Sequence, residues 1–179
     1  NYDPFANLDD GSCIYDELLT QLIDLTSGGP NWVSFYIIPE LNNIQTIFQP
    51  LIDNSTLISI TGSNGGGLYF NNSEWVNSIG GIDPGEVYTV HVNSDIQMQV
   101  QGELIPLPVS IYLNEGVNLV GYPLSVSQNV VSVFQSFIDE GVITTITNNN
   151  GDIIIPEYNI VGFEEFLPGE GYQVSVNTP

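Results

Sequence analysis

The chain contains no lysine and no arginine. Against 21 Asp and Glu residues this leaves a formal charge of −21, which removes several classes of function at once. Nucleic-acid binding draws its sequence-independent affinity from counterions released when Lys and Arg neutralise phosphates, and those cations are missing. Anionic membrane surfaces are excluded for the same reason. His91, the single histidine, is the only side chain that could pair with a carboxylate as a cation. The acidic groups therefore face water, accept backbone N–H bonds or ligate a metal ion. Self-repulsion of this size weakens a compact state. Salt relieves it, because the Debye length shrinks from about 8 Å at 0.15 M to about 3 Å at 1 M. The composition suits a saline, divalent-rich exterior, reached through calcium binding or adaptation to sea water. A generally acidic proteome accounts for it equally.

Other scarcities exclude chemistries. His91, between Val90 and Val92 in a strand-like run, has no second His or matched Cys to partner it in a metal or catalytic site and reads as a surface residue. The acid pairs Asp139-Glu140 and Glu164-Glu165 fall in loops and read as solvated rather than catalytic. Gly65-Gly66-Gly67 is too short for a phosphate loop and has no lysine beside it, so it reads as a hairpin turn. No enzymatic activity is expected. No apolar run approaches the roughly 18 to 20 residues of a spanning helix, so membrane insertion is not expected either. Asn1 is not preceded by a basic, apolar leader, which reads as a fragment or a processed start.

What is present is a hydrophobic fraction of 42%, enough for packed cores, and a repeat. Phe48-Gln49-Pro50-Leu51-Ile52-Asp53 returns as Phe134-Gln135-Ser136-Phe137-Ile138-Asp139. Ile44, Ile47, Phe48, Leu51 and Ile52 make one apolar helical stripe, and Val130, Val133, Phe134, Phe137 and Ile138 make the same one. Asn43 and Asn129 are the matching N-caps. Pro50 is expected to kink or shorten the first helix. Each helix precedes an Ile/Thr-rich strand, an Asn-Gly turn and a returning strand. Each copy then reaches a Pro-Gly-Glu-x-Tyr turn and strand, at Pro84–Tyr88 and Pro168–Tyr172. Upstream, Ile23-Asp24-Leu25 aligns with Ile111-Tyr112-Leu113, and both are expected to be strands leading through a hairpin into Asn31–Tyr36 and Asn118–Pro123. A short helix over residues 17–22 is the competing reading of the first. Asp95–Gln101 alternates like a half-exposed strand, and its counterpart is missing from the second copy.

The expected fold is therefore mainly β (α+β), with two tandem repeats over 18–108 and 109–179, each a small antiparallel sheet covered by one short helix. Residues 1–17 form a separate segment rich in turn formers. In it Asp3, Asn7, Asp9 and Asp10 offer hard oxygen ligands for calcium within one loop; the spacing is not that of an EF-hand, and an Asx-turn linker is the plainer reading. Trp75, Tyr69, Tyr158 and Phe163 lie in or near the variable loops, as a glycan platform or as core and interface packing.

Two stretches carry a resemblance. Asn1-Tyr2-Asp3-Pro4, Ala6 and Asp9-Asp10-Gly11-Ser12-Cys13 resemble a short repeat of large proteins exported by bacteria through the type IX route. Gly116–Tyr122 and Pro168–Val174 resemble a module frequent in the same exported proteins, from which the first copy departs at Pro30 and Val87. The resemblance implies a disulfide from Cys13 to a cysteine outside the chain. It also implies an extracellular or cell-surface location. The function expected is that of a structural repeat unit in a filament or adhesin, joined to copies of itself or neighbouring modules by strand-edge pairing and divalent cations. The alternative is a carbohydrate-binding accessory module of a larger exported protein.

Overall fold

The computed structural model describes residues 18–177. The metal candidates Asp3, Asn7, Asp9 and Asp10, and the disulfide candidate Cys13, lie outside the described residues. Alternation of side chains sets the sheets. In the run Tyr88–Val92, Tyr88, Val90 and Val92 are buried while Thr89 and His91 turn outward, the period-two pattern of a strand with one covered face.

The first repeat contains β1 (Leu19–Leu25), β2 (Asn31–Val33), β3 (Ile37–Ile38), α1 (Ile44–Ile47), α2 (Gln49–Asp53), β4 (Leu57–Gly62), β5 (Gly67–Asn71), β6 (Glu74–Asn77), β7 (Tyr88–Val92) and β8 (Ile96–Leu104). The second contains β9 (Gly116–Gly121), β10 (Gln128–Asn129), α3 (Val130–Asp139), β11 (Ile143–Thr147), β12 (Ile153–Ile155), β13 (Ile160–Val161), β14 (Glu165–Phe166) and β15 (Gly171–Val176), with a 3-10 turn at Pro156–Tyr158. Their five-stranded antiparallel sheets run in the same order, β2-β7-β4-β5-β6 and β9-β15-β11-β12-β13. Register repeats as well: Ile60 faces Val90 in one sheet and Ile146 faces Val174 in the other. The fold is mainly β and duplicated.

The repeated helix motif has a local cause. Asn43 Oδ1 accepts from the N–H groups of Gln45 (3.1 Å) and Thr46 (3.2 Å), and Asn129 Oδ1 accepts from Ser132 (2.9 Å), satisfying donors that a helix start leaves free. Gln49 donates to Asp53 at 2.8 Å, and Gln135 to Asp139 at the same distance. This i,i+4 pair explains the spacing of Gln and Asp in the motif. Pro50 accounts for the one difference. The first helix breaks at Phe48 into two short pieces, whereas Ser136 lets α3 run unbroken through ten residues.

Within 17–22, residues 19–22 belong to a strand, β1, not a helix, because β8 lies beside them and takes up their backbone groups: Leu19 pairs with Gly102 and Leu22 with Gln99. Two features differ from the expected architecture. The first repeat has a second layer, the three-stranded sheet β1-β8-β3, beside its helices. Ile23, Leu25, Met98 and Val100 from that layer join Phe48, Leu51, Ile60 and Val90 in one core. The strand expected at 111–113 does not form. A strand needs a partner for its N–H and C=O groups, and no strand among the described residues takes β8's place beside it. The second core gathers Tyr122, Val130, Ile146, Phe166, Tyr172 and Val174, and shares no residue with the first.

Candidate functional site

Three arrangements stand out, and the first is built from the Pro-Gly-Glu-x-Tyr motif. Glu86 N–H donates to the Asp83 carbonyl and Glu170 N–H to that of Leu167, both at 3.2 Å, closing four-residue turns with Pro second and Gly third. Gly85 (φ +81°) and Gly169 (φ +84°) supply the positive φ that such a turn requires. Tyr88 then donates to Glu86 Oε2 at 2.8 Å while accepting from Asp83 N–H, and Tyr172 does the same with Glu170 (2.9 Å) and Leu167. Burial pushes both phenols above their usual range, and the neighbouring Glu carboxylate adds to the shift. The carboxylate is held as an acceptor within the turn.

These turns meet at the second arrangement, the junction of the repeats. Ser34 and Gly121 occupy equivalent positions, as do Gly85 and Gly169. Ser34 N–H donates to Gly169 O (2.8 Å) and Gly121 N–H donates to Gly85 O (2.9 Å). Each repeat therefore gives the other the same bond, a local two-fold relation. The Ser34 hydroxyl donates to Glu170 O (2.7 Å) and accepts from Tyr122 N–H (3.1 Å). A Cβ on Gly121 would come within 2.8 Å of the Ser34 Cβ. Gln21, fully buried, donates to Ser34 O (2.8 Å) and accepts from Tyr36 N–H (3.2 Å). Beside this junction lies a polar cleft of about 250 Å³, lined by Trp32, Asp24, Asn149, Asn150 and Glu170.

The third arrangement is an open apolar groove of about 600 Å³ in the second repeat, lined by Val109, Ile111, Leu124, Val133, Phe134 and Phe137 among others. Its floor is the counterpart of the face that β1 and β8 cover in the first repeat. Leu51 is 1% exposed, whereas Phe137 at the same helix position is 46% exposed. Ile23 is 5% exposed and its counterpart Ile111 is 37% exposed. Ser34, Tyr36 and Gln21 correspond to Gly121, Pro123 and Val109. Proline has no N–H, so the donor that Gln21 satisfies at Tyr36 does not exist at Pro123. An apolar Val109 fits there, and the groove is more apolar as a result.

The aromatic candidates are not assembled into one platform. Tyr69 and Trp75 lie on adjacent strands of the β5–β6 hairpin, but Trp75 pairs with Phe70, so Tyr69 projects from the opposite face. Trp75 packs against the first core and lies 5.8 Å from the Phe70 ring. In the second repeat Phe163 stacks on Tyr172 at 5.8 Å, and Tyr158 is exposed on the 3-10 turn. His91 sits on β7 opposite Ser59. Among the described residues no group of three or more His, Cys, Asp or Glu side chains is placed to hold a metal ion, and no helix is long and apolar enough to cross a membrane. The junction and the groove had a signal in the sequence: small Gly121 opposite Ser34, and the unmatched strand Ile96–Leu104. Comparison with protein-family models, with curated proteins and with solved structures finds no match to this chain.

Proposed function

We propose that this chain is a structural repeat unit of a secreted or cell-surface filament or adhesin, in which modules are linked by backbone contacts and strand pairing. The observation that carries this reading is the unequal covering of two otherwise equivalent repeats. The first buries its apolar face under β1 and β8, and the second presents the same face in an open groove. Large exposed apolar surface on a soluble module marks a site of association. The junction supplies a second argument. Among the described residues the repeats join through reciprocal backbone bonds and glycine-permitted close approach, which suits a chain without Lys or Arg. The export-linked resemblance of the terminal segment and the modules supports a site outside the cell for such a unit, in a saline medium that screens its charge. Calcium, if used, belongs with the oxygen ligands Asp3, Asn7, Asp9 and Asp10. Immunogold labelling of intact producing cells, followed by negative-stain microscopy, tests the proposal. Label on surface fibres is the expected result; label confined to the cell interior would overturn it.

A carbohydrate-binding module is the second reading, favoured by the polar cleft with one indole and several amide and carboxylate groups. Glycan-array binding that is lost in Trp32→Ala and retained in Trp75→Ala would select it.

A further inference from the structure

The groove of the second repeat has a template for its occupant inside the same molecule. In the first repeat the equivalent face is covered by β8, which lies antiparallel to β1. Alternate β8 residues, Met98, Val100 and Gly102, point into the core, while Gln97, Gln99, Gln101 and Glu103 face solvent. Met98 stands opposite Ile23 and Val100 opposite Gln21. Their counterparts in the second repeat, Ile111 and Val109, line the groove and have no strand beside them among the described residues. Residues 109–113 thus carry the sequence of a strand and the backbone groups of one, without a paired strand among the described residues. β8 itself cannot serve twice, because β1 holds one of its edges and β3 the other. β15, which comes after the groove residues in the chain, is likewise flanked on both sides, by β11 and β9.

We propose that the groove is a strand-acceptor site. Its occupant is an extended, nearly uncharged strand of a second polypeptide, with apolar side chains at alternate positions, that runs antiparallel to 109–113 as β8 does to β1. The apolar side chains fill the space above Phe134 and Phe137, and the backbone converts 109–113 into an edge-paired strand. A cationic strand is not required, since the lining is apolar. A strand bearing acids on its inward side is excluded by their desolvation. This assignment rests on the assembly reading above and names the partner of that site.

The probe is the capped synthetic peptide Ile96–Leu104, titrated into isotopically labelled protein and followed by NMR. Saturable binding is expected, with shifts concentrated at 109–113 and along α3. Replacing the peptide's Met98 and Val100 positions by Asp should weaken it at least roughly tenfold, as should Phe137→Asp in the protein. Val133→Asp, at another exposed position of the lining, gives the same test should Phe137→Asp fail to fold, with circular dichroism as the check. Three results would overturn the proposal: no saturation at millimolar peptide, equal affinity for wild type and both groove variants, or a groove already closed by a second copy docked face to face. The last would show as a sedimenting dimer that Phe137→Asp dissolves. Peptide binding with no label on surface fibres would leave the acceptor site standing and remove the filament reading; fibres without peptide binding would do the reverse.

Discussion

Truncating one helix position in each repeat should give unequal costs, and the duplication makes each variant the control for the other. Leu51 and Phe137 occupy the same place on their helices, 1% and 46% exposed respectively. Leu51→Ala removes a side chain from a closed core. Lost transfer energy and the cavity left behind together cost about 2.7 to 5 kcal/mol for a buried leucine. Phe137→Ala removes a larger side chain, yet about half of it already faces solvent. The space it leaves is continuous with the groove, so no closed cavity forms. Half of the roughly 1.5 to 3 kcal/mol for burying a large apolar side chain leaves about 1 kcal/mol. Urea unfolding reads the difference. With a slope of about 2 kcal/mol per molar, Leu51→Ala should lower the midpoint by more than about 1 M and Phe137→Ala by about 0.5 M. Both tryptophans, Trp32 and Trp75, lie in the first repeat, so indole fluorescence tracks Leu51→Ala, and far-ultraviolet dichroism tracks both repeats. Equal losses from the two variants would refute the reasoning, since they would mean that Phe137 is covered in solution. Saturating strand peptide should raise the cost of Phe137→Ala above that seen without it.

Alkaline stability offers a second test, because no lysine titrates in the same window. Burial raises the folded pKa of Tyr88 and Tyr172 above the unfolded value of about 10. Their contribution is complete below about pH 10. Above it the unfolded chain releases protons that the folded chain keeps, so stability falls by about 1.4 kcal/mol per pH unit for each tyrosine. Denaturation midpoints measured across that window should fall less steeply in Tyr88→Phe and Tyr172→Phe; an unchanged slope in both would contradict the burial argument. At the junction, Gly121→Val should cost at least about 1 to 3 kcal/mol through overpacking, first against the Glu86 backbone carbonyl and then against Ser34. Calorimetry should then resolve separate transitions for the two repeats, and a melting profile like wild type would show that the close approach is not maintained.

Much of the architecture was legible in the residues because its causes are local. The helix stripe, the Asn caps, the Gln–Asp pair and the Pro-Gly turns each depend on side chains within about four positions of one another, and each occurs twice. Duplication favoured a strand at Ile23-Asp24-Leu25 and left a helix over 17–22 in competition; pairing with β8 decided Leu19–Leu25. The alternation of Asp95–Gln101 was equally plain, but not the strands it would stand between.

The remainder was decided by what lies next to what. Ile111-Tyr112-Leu113 has a strand's pattern and forms none, while Ile23-Asp24-Leu25 with the same pattern is paired throughout, because β8 is present beside one and not the other. A helix satisfies its backbone within its own residues. A strand borrows its partner from elsewhere in the chain, so its existence is a property of the neighbourhood. The same holds for the reciprocal bonds of Ser34 and Gly121, which join residues far apart in sequence. Composition and local pattern alone determined a duplicated, acidic, mostly β chain. Tertiary contact decided which of its two apolar faces is closed and which stays open.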